Sequence, residues 1–295
     1  MVTSDRLTQW VSHIFLIFVT AASIIPFIIL LSSSFTSEDA ILRDGYNFIP
    51  KEFSFAAYEY LINGSSEIFR AYGITVFVTV FGTVASLAIT ALLAYALSRR
   101  DIPMRNTLSF LVFFTLLFNG GLVPTYLVYT QMFDVKNTIW ALIVPGLLMN
   151  GFNVLLMRSF FITSIPEAIL ESARIDGAGE FKTFFLIVLP LSLPILATIG
   201  LLQTIHYWND WFNGLIYITD PKMFSIQNIL NRMMSDIEFL SSGALDTNAS
   251  EAMAQIPSTA VRMAIAVIGV IPILIAYPFF QKYLVKGIAL GAVKG

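Results

Sequence analysis

The chain has 295 residues, of which 57% are hydrophobic and 12% charged; its formal net charge is −2 and it has no cysteine. Soluble domains carry about a quarter charged residues, so a water-facing surface of ordinary polarity is excluded and a polytopic membrane protein remains. No basic cluster points to nucleic acid. The missing cysteines exclude disulfides and thiolate-held metals, and the two histidines, His13 and His206, lie too far apart in sequence to suggest a metal site within the chain.

Six apolar runs of about 20 residues, the length a bilayer core requires, predict an all-α polytopic helix bundle. They cover 10–31, 71–97, 108–130, 138–161, 184–207 and 259–280. The first is too long for a cleaved signal peptide and lacks the small-residue cleavage site. The third is interrupted by Gly120, Gly121 and Pro124. Two readings stand there: a span, or a helix ending near Asn119 followed by a re-entrant or surface segment, which would need cover from protein or a water-filled cavity.

With six spans, the N-terminus, the 98–107 loop, the 162–183 loop and the C-terminal tail share one side. That side holds ten basic and six acidic residues; the other holds seven basic and thirteen acidic. The Lys/Arg bias of short loops places the first side in the cytoplasm, so both termini are expected inside. The loops 32–70 and 208–258 are then external, and the second is long enough to carry helices of its own.

Between the fourth and fifth runs lies a polar island, about 164–182. Ser164-Ile165-Pro166-Glu167 reads as a capping box with Pro in the first turn. The helix it opens is expected from Ile165 to about Asp176, with Glu167, Glu171 and Arg174 on one face. Gly177 is placed as the left-handed residue that ends it. Gly179 loosens the turn, and a second helix begins near Glu180. By local pattern alone this is either a protruding elbow that meets a partner or merely a well-capped loop.

Glu171-Ser172-Ala173, Gly177, Ile187 and Leu189-Pro190 resemble, at every spacing, the cytoplasmic EAA signature of ABC importer permeases; Ser172 stands where the family commonly has Ala. The resemblance covers the whole chain. Pro166-Glu167 through Ala178, Tyr95 to Arg99, Trp208-Asn209-Asp210 and the tail from Gln281 to Gly295 are similar to carbohydrate-importer permeases. The chain is most similar to the shorter maltose-type subunit and to relatives that import larger, often acidic oligosaccharides.

The resemblance implies a type I ABC importer permease fold and a single permease domain over 1–295, in a bacterial cell membrane. It implies a second permease, making a heterodimer, two cytoplasmic ATPase subunits and an extracytoplasmic solute-binding protein that delivers an oligosaccharide. The elbow residues Glu167, Glu171, Ser172, Ala173, Arg174, Asp176, Gly177 and Ala178 would dock on an ATPase. ATP and Mg would belong to that partner, since the chain lacks a G-x-x-x-x-G-K-[ST] phosphate loop. No catalytic arrangement of side chains stands out, and no cofactor or metal is expected in the chain itself.

Other residues are read more loosely. Asn119, Asn150, Asn153, Gln203 and His206 fall within apolar runs, where polar groups face the bundle interior. They either line the sugar route or hydrogen-bond between helices. Tyr207, Trp208 and Trp211 suit interfacial anchoring better than sugar stacking. Ser241, Ser242, Gly243 and Ala244 form a small, flexible run in the 208–258 loop. In maltose-type relatives that loop reaches the binding protein's cleft, so these four are candidates for a probe. Two alternatives stay open: an ABC permease for a non-sugar solute, and a secondary transporter. The latter would call for inverted repeats and intramembrane carboxylates, neither of which is visible.

Overall fold

The computed structural model describes residues 6–63, 65–241 and 258–292. In chain order its helices are α1 (Arg6–Ser34), α2 (Glu38–Asp44), α3 (Ala56–Asn63), α4 (Ser65–Ser98), α5 (Arg105–Leu117), α6 (Leu122–Met132) and α7 (Trp140–Ile143). There follow α8 (Gly151–Ser164), α9 (Glu167–Ile175), α10 (Glu180–Leu191), α11 (Leu193–Trp208), α12 (Phe212–Tyr217), α13 (Ile226–Ser241) and α14 (Ser258–Ala292). Strand pairing among the described residues is a single bridge between Thr36 and Phe53.

Three of the expected spans are single helices: Thr8–Ser34, Ser66–Ser98 and Thr259–Lys282. The other three are bent. The third turns by 116° between α5 and α6, at a break that follows Leu117. Gly121 adopts φ 85° there, and Asn119 Oδ1 accepts its N–H at 2.8 Å. The fourth run is not one helix. Pro145 and Gly146 (φ 71°) interrupt it, and α8 begins only at Gly151, where the Asn150 side chain caps the N–H groups of Phe152 and Asn153. The fifth turns by 81° at Ser192. Pro194 has no N–H to offer the preceding turn, and the Ser192 hydroxyl donates to the Val188 carbonyl at 2.7 Å.

The chain divides into two compact units. One comprises 1–68 and 230–272, the other 69–229 and 273–295. In the first, the C-terminal end of α1 meets an aromatic cluster in which Phe35 stacks on Phe53 and Tyr58. Ser37 caps α2. The Glu38 carboxylate accepts the N–H groups of Thr259 and Ala260 at 2.9–3.1 Å, meeting the unsatisfied donors that every helix start exposes.

In the second unit α4 is the central element. Its buried face carries small and hydroxyl residues, Thr75, Thr79, Thr83, Ser86, Thr90, Ala91 and Ala94, the composition that lets membrane helices approach closely. Gly82 lies under the Tyr207 ring of α11. Gly151 opens α8 against Val112, Thr115 and Leu116 of α5. Toward the C-terminal end of α4, its Ala94 and Leu97, Val154, Met157 and Phe161 of α8 and Phe184 and Val188 of α10 form the apolar core.

Candidate functional site

The elbow grows from the end of α8. Ile165 precedes proline and is therefore driven to extended backbone, with φ −101° and ψ 113°. Its side chain is buried in the core just described. Pro166 takes the position before the first turn of α9. The expected capping box is thus not formed: Ser164 closes α8, α9 opens at Glu167, and no side chain caps it. The axes of α8 and α9 differ by 78°, so α9 leaves the bundle direction at once.

Glu167 in the first turn and Arg174 in the last suit the helix dipole. Leu170 packs on the core, and Ala173 is 7% exposed. A small residue is required there for α9 to lie close. The Ser172 hydroxyl turns back to the Ala168 carbonyl at 2.8 Å. At the other end Gly177 has φ 76°. Its N–H goes to Arg174 O at 3.1 Å and the N–H of Ala178 to Ala173 O at 2.9 Å, the paired bonds of a Schellman stop. A Cβ at Gly177 would meet nothing within 4 Å, so glycine is needed for backbone angle and not for space.

Glu167, Glu171 and Arg174 share one face, as their spacing predicts. They line a cleft with Ser98, Arg99, Arg100 and Asp101 from the end of α4 and its loop. Arg174 donates to Asp101 at 2.8 Å and lies 3.5 Å from Glu180. Arg99 reaches Asp101 at 3.2 Å and Glu180 at 3.2 Å. The Tyr95 hydroxyl donates to Glu180 at 2.8 Å, and Arg100 stands 3.6 Å from Glu167. The Arg99 guanidinium, seconded by Arg174, holds the Asp101 carboxyl down at about 2. Arg158 on α8 donates to the Leu97 carbonyl at 3.0 Å, closing the last turn of α4. The cluster therefore ties α4, its loop, α9 and α10 together.

Beyond the cluster the elbow presents an apolar tip. Ile175 is 86% exposed and Phe181 75%, while Asp176, Gly177 and Glu171 are exposed beside them. Glu171 makes no ion pair or hydrogen bond among the described residues. Chemically the arrangement offers a braced, protruding helix end with an apolar contact face. It holds no nucleophile–base pair. No group of three or more metal-ligating side chains occurs among the described residues.

The polar residues of the apolar runs are not gathered into one place. Gln203 is 1% exposed and donates to Ser86 Oγ and, at 2.9 Å, to Leu147 O, so it joins α4, α11 and the turn before α8. In this conformation it does not face an open route. Asn153 is buried too; Asn150 Oδ1 accepts its backbone N–H at 3.4 Å while its own Nδ2 is unpartnered. Asn119 serves the turn at Gly121, and His206 is exposed on α11. Ser241 ends α13; Ser242, Gly243 and Ala244 lie outside the described residues. Sequence reading missed Asp101 and Arg99 as partners of the elbow and did not single out Glu180. Their pairings span 73 to 85 residues, and no local pattern carries them.

Comparison with known proteins gives three consistent results. The family model described as binding-protein-dependent transport system inner membrane component matches residues 62–290. The chain is 38% identical, over 99% of both sequences, to the polygalacturonan/rhamnogalacturonan transport system permease protein YtcP of Bacillus subtilis. It is also 38% identical to Protein LplC of the same organism, over 94% of this chain and 91% of that one. Among solved structures it superposes with TM-score 0.79 on a chain of a bacterial ABC transporter involved in the import of the acidic polysaccharide alginate. The two are 30% identical, and the match covers 96% of this chain and 98% of that one.

Proposed function

The chain belongs to the family of binding-protein-dependent transport system inner membrane components, and from that premise we propose that it is one permease of an ATP-driven oligosaccharide importer, coupled to its ATPase through the elbow at 167–178. It is a membrane protein, and a transport subunit by family. The relatives named for polygalacturonan/rhamnogalacturonan and arabinooligosaccharides support an oligosaccharide cargo over a non-sugar solute. A second permease encloses the route with it, two ATPase subunits supply ATP and Mg chemistry, and an external binding protein delivers the sugar. Both termini and the elbow face the cytoplasm.

The observation that carries this reading is the brace. A free loop would lose a push from below to its own flexibility. Here α9 ends in a fixed Schellman stop, exposes Ile175 and Phe181, and is tied by Arg174, Asp101, Arg99 and Glu180 to α4 and α10. Displacement of the tip is thereby delivered to two bundle helices.

Gly177→Asp tests it. Asp and Asn both tolerate left-handed backbone and match in shape, so Gly177→Asn controls for strain. The Asp variant is expected to lose binding-protein-stimulated ATPase activity and to weaken co-purification of the ATPase, with the Asn variant less affected. Wild-type uptake by the Asp variant would sink the coupling role.

A further inference from the structure

The turn between α6 and α7 encloses a hollow of about 430 Å³ lined by Tyr129, Phe133, Asp134, Thr138 and Trp140, a size that suits a small ligand. Rings continue on both sides of it. Phe133 lies 6.1 Å from Tyr129, and Tyr129 meets Tyr217 edge-on at 6.2 Å. Trp140 meets Phe81 of α4 edge-on at 6.0 Å. The backbone holds this shape. α6 ends in a wide π turn over Val128–Met132, whose carbonyl at Val128 accepts the N–H of Phe133 at 3.2 Å; such turns are rare and recur at functional sites. Asp134 and Asn137 take left-handed backbone, φ 49° and 54°, which short polar side chains tolerate. The Asn137 side chain pins the turn to the segment after α12. Its Oδ1 accepts the N–H groups of Thr219 and Asp220 at 2.6 and 3.2 Å, and its Nδ2 donates to Thr219 Oγ1 at 2.8 Å. Thr138 is satisfied by the Val135 carbonyl at 2.7 Å. Three polar groups of the lining are uncommitted: the Asp134 carboxylate, the Tyr129 hydroxyl and the Trp140 indole N–H make no hydrogen bond or ion pair among the described residues.

An aromatic ring carries a negative face. The C–H bonds on one face of a sugar ring are apolar and slightly positive, so they lie well on such a surface. The hydroxyls at the rim of the sugar then seek acceptors and donors. A hollow with rings on its sides, a free carboxylate and two free donors meets both demands. We propose that this hollow is a subsite for one uncharged sugar unit of the transported oligosaccharide, stacked on Trp140 and accepted at its hydroxyls by Asp134. The carboxylate sets the class of ligand. It accepts hydrogen bonds from hydroxyls and repels a uronate unit or a lipid phosphate by like charge. Rings that merely anchor a helix at the membrane interface need neither a shared hollow nor a carboxylate within it. The proposal rests on the importer reading and adds a place where this chain touches cargo. It fixes the charge of the unit held there and not that of the whole oligosaccharide. With the elbow in the cytoplasm, as proposed above, the turn lies on the external side, where the sugar arrives.

The test uses the permease–ATPase complex in nanodiscs without its binding protein, so that the sugar site of that protein is absent. The probes are trimers of galactose, arabinose and glucose, with the galacturonate trimer as the charged counterpart, titrated by saturation-transfer NMR. At least one uncharged trimer is expected to bind, and the galacturonate trimer to bind more weakly than the galactose trimer. Trp140→Ala should weaken binding about tenfold, the scale of a lost stacked ring, while Trp140→Phe keeps most of it. Asp134→Asn preserves shape, removes the charge and should narrow the gap between the two galactose-based trimers. If Trp140→Ala does not assemble, that gap decides. The proposal is overturned by a wild type that binds no uncharged trimer, by binding that Trp140→Ala leaves unchanged, or by a gap that Asp134→Asn does not move. Uptake into vesicles with the binding protein restored is read separately. ATP-dependent uptake without binding at the hollow strikes this proposal alone, and no ATP-dependent uptake of any carbohydrate strikes the importer reading itself.

Discussion

Gly82 shows how one atom can set the spacing of two helices. A Cβ at that position would stand 2.5 Å from Cζ of Tyr207. Tyr207 has no room to withdraw: it is buried, and its hydroxyl donates to the Ile143 carbonyl at 3.0 Å. Gly82→Ala is therefore expected to destabilise the chain by about 1–3 kcal/mol, the usual range for overpacking, as a lowered unfolding midpoint in detergent. Adding Tyr207→Leu should recover part of the loss; no recovery would place the strain elsewhere. Asp210, just beyond α11, offers a pH signature. Burial pushes its carboxyl up to about 6 from 3.8, although the N–H of Asn213 donates to it at 3.2 Å. Between those values the folded chain holds a proton that the unfolded chain has released. Stability then falls as pH rises through that window and levels off above it. Asp210→Asn keeps the acceptor for Asn213 and removes the charge. Its stabilisation relative to wild type should be largest near pH 7.5 and vanish near pH 4. A pH-independent difference would contradict the assignment.

At the scale of elements, the elbow rests on the core through Ile165, Leu170 and Ala173 and is oriented by charges. The Asp101, Arg174 and Glu180 side chains are each more than half exposed, and exposed ion pairs contribute only about 0–1 kcal/mol apiece. Their role is then to set direction more than to add stability. Arg174→Glu would set like charges against Asp101 and Glu180. We expect a thermal shift within about 1 kcal/mol but a clear fall in sugar uptake per ATP hydrolysed. Combining it with Asp101→Arg should restore part of the coupling. If the single variant transports with full coupling, the brace is dispensable. The helix breaks matter at the same scale. The bends at Ser192 and Ile165 turn α10 and α9 away from the helices they continue, and without them the elbow would merely extend a span.

For the whole molecule, α1 has none of its most apolar stretch buried within this chain, and the last span has 17%. Those surfaces require lipid or a partner permease. The expected topology is tested by Ser172→Cys and Ser65→Cys, which should react with impermeant thiol reagents from opposite sides of the membrane. Labelling of both from outside would reverse the orientation. The 208–258 segment carries α12 and α13, in line with its length. Shortening 239–247 is expected to lower release of sugar from the binding protein, and hence uptake, while the complex still assembles. Normal uptake would remove the probe role.

Much of this was legible in the chain itself. Run length and apolarity marked the three spans that are single helices, Thr8–Ser34, Ser66–Ser98 and Thr259–Lys282, because a bilayer sets a length scale that composition has to meet. Glu167 to Gly177 announced an elbow, because proline, glycine and helix-end charges act on their own backbone within a turn or two. What the sequence left open is how an apolar run is used. Pro26 sits inside the continuous helix α1, whereas Pro145 and Pro194 lie at breaks. The difference depends on which neighbours satisfy the freed backbone groups, a matter of tertiary contact. The same holds for Gln203, whose partners come from α4 and from the turn before α8, and for the Arg99–Asp101–Arg174–Glu180 cluster. Pairings across 56 to 117 residues exist only once the helices are packed, so the brace that makes the elbow rigid was decided by the tertiary structure alone.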